Sequence, residues 1–473
     1  MIEKIQKRVL ELWKEQTQKG LEDFIRIPAI SRGFDPEWNT AGQLDRAIEC
    51  AEHWVHQLGL KSLKTQRYQD PGFPPCLFTE IDATPGCEDA KTIFFYGHLD
   101  KQPPNVGWDD NKSAWTPVEE NGRLYGRGVA DDGYSWYCML TAVKALEDQG
   151  LPHPRCVALF ETDEESGSLH YESYLEHWKD KCGDVGTVLV LDSCCGDYKR
   201  LWLTQSLRGM IGGTLRVEVL RHGVHSGEAG GIVPSSFMII RSLLDRVEDS
   251  STGRVKGEAY YSPIEPAIIQ KTLDVVRILG DDIVRAFPWE GATQPLMPNA
   301  FENALNRSWR PALSVTGASG IPPVAQAGNV LRESTSLKVG MRLPPTVDAD
   351  KAWEALEKTF GENPPFGASV SFTDRLSSSG WNCPQHAEWL SKTLQEASEA
   401  LWGEAPAFLG FGASIPLLCV FDKVWPDANY IVAGVLGPES NAHGPNEFLH
   451  IDFAQKLTAS LALVMTRSAG CTK

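Results

Sequence analysis

Apolar residues fall into two kinds of pattern along this chain. Thr92–Tyr96, Val157–Phe160, Val185–Leu191, Leu417–Phe421 and Ile431–Leu436 are short, nearly unbroken apolar runs, as expected of strands buried on both faces. Between them lie helical stripes. Ser135–Gln149 carries Met139, Val143 and Leu146 along one side, and Glu388–Trp402 and Phe453–Met465 are built alike. The first segment, Met1–Phe24, reads as an amphipathic helix with Ile5, Val9, Leu10 and Trp13 on one face. Strand and helix in alternation predict an α/β layered domain with a mixed, largely parallel central sheet.

The middle of the chain has another rhythm. Gly213–Leu220 alternates as G-T-L-R-V-E-V-L, and Leu337–Leu343 and Gly367–Thr373 are further strands, while Ser236–Val247 and Asp348–Phe360 are helical. A polar, Pro-rich passage runs from Tyr260 to Gln326. Strands with one polar face and helices packed on the other predict an inserted α+β domain. The expected organisation is a catalytic domain in two parts, 1–208 and 379–473, split by an insert at 209–378.

The 473 residues are enough for two large domains. Sixty-two acidic against 45 basic residues leave a formal charge of -17, a surface that repels nucleic acid and anionic membranes, and neither is expected as a partner. No apolar stretch is long enough to span a bilayer, and the charged N-terminal segment has no apolar leader core, so a cytoplasmic location is expected. The 11 Cys form no C-x-x-C pair, and the vicinal Cys194–Cys195 are expected to be small buried residues.

The chemistry-bearing residues sit where apolar runs end. His98 closes F-F-Y-G-H-L-D, with Asp100 two residues on. Asp131 lies in Y-G-R-G-V-A-D-D-G, between a Gly-rich loop and a helix. Glu164–Glu165 follow C-V-A-L-F-E-T, Asp192 ends another run, and His443 lies in G-P-E-S-N-A-H-G-P-N-E. Crevices at the carboxyl ends of parallel strands are where open α/β sheets bind ligands. Two His and several carboxylates, without thiolate, suit two divalent ions: a zinc pair, with manganese or cobalt as alternatives. One Glu is then left over as a general base.

At these residues the sequence resembles the co-catalytic zinc metallopeptidases that include carnosinase-like dipeptidases, glutamate carboxypeptidases, aminoacylases and succinyl-diaminopimelate desuccinylases. Y-G-H-L-D, W-T-P-V-E-E-N-G-R-L-Y-G-R-G-V-A-D-D-G, D-E-E-S-G-S and N-A-H-G-P-N-E carry the likeness, and G-A-S-I-P at Gly412–Pro416 favours the cytosolic dipeptidase branch. The resemblance implies two zinc ions, one on His98 and Asp192, the other on Glu165 and His443, bridged by Asp131. It implies Glu164 as general base, Asp100 orienting His98, and a cis peptide at Asp131–Asp132. It makes the insert a lid and homodimerisation domain. There His225 would stabilise an oxyanion, and Arg342 would hold the substrate carboxylate. Ser414 and Asn329 are further substrate contacts. The implied substrates are dipeptides or short peptides with a free C-terminal carboxylate. The alternative is an N-acyl amino acid deacylase, a desuccinylase or a carboxypeptidase of the same family. Two departures stand out: Gly133-Tyr134 where the family often has Lys, and S-C-C-G-D after Asp192.

Overall fold

A computed structural model describes residues 1–470, which separate into two compact units. The first comprises Met1–Thr204, Cys383–Leu409 and Val420 onward; the second is Gln205–Asn382 with Gly410–Cys419.

The first unit is built on a six-stranded sheet. Its spatial order is Lys64–Tyr68, Cys76–Ile81, Cys156–Glu161, Thr92–His98, Val185–Val190 and Asn429–Val432. The last four are parallel, and the first two are antiparallel additions at one edge. All seven residues of Thr92–His98 are buried, as a central strand covered on both faces requires. The Tyr134–Asp148 and Ile451–Ser468 helices are buried around most of their circumference, so they form the interior of the helical layer. The Ile2–Leu12 helix packs on them through Ile5, Val9 and Leu12 and runs through a π-turn into Gln18–Ile25. Leu10, expected on the buried face, is 40% exposed, and Leu12 takes its place.

The Leu417–Phe421 run is not a strand. Pro416–Val424 is a helix, begun by a proline whose fixed φ suits a first helical turn. Five apolar residues are too few for their period to separate the two structures. Phe421 lies at the centre of an aromatic cluster with Phe94, Tyr96, Tyr171 and Trp425. Asn429–Val432 is likewise shorter than the apolar run around it.

The second unit contains a four-stranded antiparallel sheet in the order Ala312–Ser319, Ser334–Leu343, Gly209–Glu218, Ser369–Ser378. The Ser236–Val247 and Ala349–Gly361 helices cover one face. They enclose a core of Ile211, Leu215, Leu243, Val339, Trp353 and Phe360. The polar, Pro-rich passage holds the Pro266–Leu279 and Ala300–Ser308 helices. Between them Ile268, Leu305 and Trp309 form a small buried cluster, too sparse a stripe to be read from the sequence. Among the described residues no helix is long and apolar enough to cross a membrane.

Gly97 lets the central strand reach the site. A Cβ there would lie 2.4 Å from Phe160 Cε1, 2.6 Å from Ser135 Oγ and 2.7 Å from Asp132 Oδ2. Gly97→Ala is therefore expected to destabilise the chain by about 1–3 kcal/mol, as overpacking a tight interior does. The measurement is urea unfolding followed by tryptophan fluorescence; an unchanged midpoint would contradict the packing described.

Candidate metal centre

Three parallel strands end in one place in the first unit. Thr92–His98 delivers His98, Cys156–Glu161 leads to Glu164 and Glu165, and Val185–Val190 leads to Asp192. Two loops complete the cluster, one carrying Asp131 ahead of the Tyr134–Asp148 helix and the other carrying His443. His98 Nε2 lies 3.5 Å from Asp131 Oδ1 and 3.9 Å from Glu164 Oε2. His443 Nε2 lies 2.9 Å from Asp131 Oδ2 and 3.3 Å from Glu165 Oε2. Asp131 thus faces both imidazoles. His98, Asp131 and Glu165 form one group whose ligand atoms all lie within 4.8 Å of one another, and His98, Glu164 and Asp192 form a second.

The electrostatics of this cluster call for cations. Burial, and then the charge of Asp131, pushes the Glu165 carboxyl up to about 8. Burial raises Asp192 to about 6, and burial with the Asp192 charge drives Glu164 well above its usual range. Asp131 is the exception. Burial opposes its charge, but the imidazoles of His443 and His98 outweigh it and hold its carboxyl well below the ordinary range. So many carboxylates can stay ionised together only if positive charge is supplied among them. The donor set fits that need. His98 Nε2 is buried and has no hydrogen-bond partner among the described residues, whereas Nδ1 faces Asp100, 3.1 Å from its carbonyl and 3.3 Å from its carboxylate. That places the proton on Nδ1 and leaves the Nε2 lone pair for a metal. With nitrogen and oxygen donors only, the two groups are those of a dinuclear site for zinc or a similar divalent ion.

Asp100 also accepts the Glu164 and Glu165 N–H groups, at 3.2 and 3.1 Å, and so ties the His98 loop to the turn bearing both glutamates. Asp163 steadies the same turn from behind, held by Arg32 at 2.6 Å and His170 at 2.7 Å. The Asp131–Asp132 peptide is cis. Asp132 turns away from the cluster and accepts from Ser135 Oγ at 2.7 Å and from His98 N at 3.3 Å.

Both sequence departures have a physical reason here. A Cβ on Gly133 would meet Phe24 Cε1 at 2.2 Å and Gly128 O at 2.6 Å, so no side chain fits. Tyr134 is buried and donates to the carbonyl of Leu191 at 2.5 Å, linking the Asp131 loop to the residue before Asp192. In the S-C-C-G-D segment, Ser193 and Thr204 share a 2.6 Å hydroxyl contact, and Cys194 and Cys195 are both buried.

Sequence reading missed Glu447. Its carboxylate is fully buried and accepts the N–H groups of Gly128, Ala130 and Asp131 at 3.1, 3.0 and 3.2 Å. It also pairs with buried Arg127 at 2.6 Å, and Arg127 reaches Gly444 O at 2.8 Å and Pro103 O at 3.1 Å. This one pair joins the loop after His98, the loop carrying Asp131 and the loop carrying His443. Its two residues lie in quoted motifs, R-G-V-A-D-D and N-A-H-G-P-N-E, but their pairing across the chain leaves no local signal.

The remaining candidates lie in the second unit. Arg342 Nη1 donates to Ser414 Oγ at 2.9 Å. His225 is exposed, pairs with Val330 across a short antiparallel ladder, and accepts the Gly227 N–H on Nδ1 at 3.1 Å. Asn329 O accepts the neighbouring Ser226 N–H at 2.9 Å.

Glu447→Ala would leave Arg127 buried and three N–H groups unanswered; the expected cost is about 3–5 kcal/mol in denaturant unfolding. Zinc should raise the thermal midpoint of the whole chain, by the equivalent of about 2.7 kcal/mol at a hundredfold excess over its dissociation constant. His98→Ala should remove most of that rise. A midpoint insensitive to zinc in the unaltered protein would speak against the centre.

The chain matches the model of peptidase family M20/M25/M40 over residues 94–467. It is 26% identical over 468 residues to a Cys-Gly metallodipeptidase of Schizosaccharomyces pombe, covering 94% of each chain. With a cysteinylglycine-S-conjugate dipeptidase of Corynebacterium striatum it shares 27% identity over 400 residues, 78% of this chain and 80% of the other. The solved dipeptidase Dug1p of Saccharomyces cerevisiae has the same fold, with a TM-score of 0.78 at 22% identity over 100% of this chain and 99% of that one. Because the matched span contains every residue of both ligand groups, the chain belongs to peptidase family M20/M25/M40 and is a metal-dependent hydrolase.

Proposed function

We propose that the protein is a di-zinc dipeptidase that hydrolyses the amide bond of dipeptides or short peptides bearing a free C-terminal carboxylate. The observation that carries this reading is Asp131 facing His98 and His443 at once, with Glu164 beside His98. The dipeptidase names of relatives aligned over most of the chain support the substrate class.

In this reading His98 and Asp192 would hold one divalent ion, Glu165 and His443 the other, with Asp131 shared between them. Held there, a pair of divalent ions supplies Lewis acidity that acidifies water and polarises a carbonyl. The chain's own residues do the rest. Glu164 takes the proton from the attacking water and returns it to the leaving nitrogen. Asp100 keeps His98 in the tautomer and orientation its role needs. Arg342, with Ser414 against its guanidinium, fixes the substrate carboxylate and so the register of the scissile bond. His225 has Nε2 uncommitted and stabilises the carbonyl oxygen as negative charge develops; Asn329 is a further contact. In this reading the 209–378 segment serves as lid and homodimerisation domain, 1–208 and 379–473 make up the catalytic domain, and the protein works in the cytoplasm.

Glu164→Ala should bind the same number of zinc ions as the unaltered protein by elemental analysis while turnover falls by a factor of about 10²–10⁴. Loss of metal together with activity would make Glu164 a ligand instead. Rates on dipeptides, tripeptides, N-acyl amino acids and N-succinyl-diaminopimelate decide between dipeptidase, deacylase, desuccinylase and carboxypeptidase. The reading requires dipeptides to be turned over fastest.

A further inference from the structure

We propose that Arg208, Arg307 and Arg342 form a dianion site that selects substrates whose C-terminal residue is itself aspartate or glutamate. This rests on the reading in which Arg342 receives the substrate's terminal carboxylate.

The three arginines come from separate places in the second unit and converge on the Gly412–Ser414 segment. Arg208 donates from Nε to Gly412 O at 3.1 Å and from Nη1 to Asn306 O at 3.3 Å. Its backbone N–H reaches Ala413 O at 3.1 Å, and its carbonyl accepts Ser414 Oγ at 2.5 Å. Ser414 Oγ is also the atom Arg342 Nη1 approaches. Arg307, in the last turn of the Ala300–Ser308 helix, meets the same segment. A Cβ on Gly412 would lie 3.1 Å from Arg208 Nη2, 3.1 Å from the Arg307 carbonyl oxygen and 3.6 Å from Arg307 Cγ, so the Arg208 guanidinium and the base of the Arg307 side chain both border that glycine. The Arg307 guanidinium stands 5.8 Å from the centre of the Phe411 ring.

What this cluster lacks is negative charge. Among the described residues no carboxylate lies within 4.0 Å of any of the three guanidinium groups; their protein partners are carbonyls, a hydroxyl and a ring. Nearby Arg310 shows the contrast, since it is paired with Glu302 at 2.5 Å. Arg208 Nη2 and the Nε and Nη2 of Arg342 make no hydrogen bond within the described chain. Burial, followed by the charges of Arg342 and Arg307, pushes the Arg208 guanidinium down to about 10. Half-buried like charges held together are costly unless a ligand neutralises them. A single terminal carboxylate answers one guanidinium fork and leaves two positive charges over. Aspartate and glutamate carry a second carboxylate a short aliphatic reach from the first, and arginine forks suit carboxylates geometrically.

The test uses the full-length zinc-loaded protein. The value of kcat/KM for Ala-Glu should exceed that for Ala-Gln by about tenfold or more, through KM, and the ratio should shrink with added salt. Arg307→Gln should bring the ratio near one, and Arg307→Lys should restore part of it. Calorimetry with free L-glutamate and L-glutamine gives a second readout that needs no turnover; glutamate should bind about tenfold tighter, and Arg307→Gln should erase the difference. Dipeptides cleaved with no acidic preference, and glutamate bound no tighter than glutamine, would overturn the dianion site while leaving the hydrolase reading intact. Glutamate selectively bound by a protein that cleaves no dipeptide would support the site and overturn the dipeptidase reading instead.

Discussion

Mutual repulsion among buried carboxylates is the constraint around which the first unit is organised. Asp131 is buried and Glu164, Glu165 and Asp192 are half-buried where they converge, so water screens them poorly, and without added positive charge Glu164, Glu165 and Asp192 are driven toward the neutral form. Two imidazoles with ring nitrogens turned inward are too little to balance that charge. A pair of divalent ions balances it and makes crowding into ligation. The same concentration of field that makes the empty arrangement costly makes the filled one able to acidify water and stabilise developing charge.

Such a cluster needs a rigid frame, and the frame is largely hydrogen bonds that Asp100, Asp132 and Glu447 accept from backbone N–H groups. Asp100 binds the turn that carries Glu164 and Glu165. Asp132 meets the backbone of His98. Glu447 gathers three N–H groups around Asp131 while its pairing with Arg127 draws in the His443 loop. In each case the carboxylate accepts from backbone N–H groups as well as meeting a side chain. That fixes loops whose own residues, such as His443 at φ 61°, have little local preference for the conformation they adopt.

The second unit uses charge in the opposite sense. Its antiparallel sheet presents Arg342 next to Ser414, and Arg208 and Arg307 border the same short segment with no carboxylate partner among the described residues. A carboxylate-rich first unit and this arginine-rich segment belong to one chain whose net charge alone, -17, would have predicted neither local feature.

The four parallel strands of the first unit, three of the four strands of the second unit's antiparallel sheet and the residue types at the centre were legible in the amino-acid sequence, whereas the Lys64–Tyr68, Cys76–Ile81 and Ala312–Ser319 strands and the Gln43–Leu58 and Tyr171–Cys182 helices were not. Burial on both faces of a parallel sheet demands apolar runs, and the residues just past each strand end face the ligand crevice. His98, Glu164–Glu165 and Asp192 announced themselves by position, and the motif resemblance supplied the grouping. Where the apolar signal was short or sparse, as at Leu417–Phe421 or between Tyr260 and Gln326, local pattern could not choose between helix, strand and loop, and packing chose. Only the tertiary structure showed that Glu447 binds the Asp131 loop, that Tyr134 reaches Leu191, and that Arg208 and Arg307 share a segment with Arg342. These are contacts between residues remote in sequence, made through hydrogen bonds and unscreened charge that leave no periodic trace along the chain.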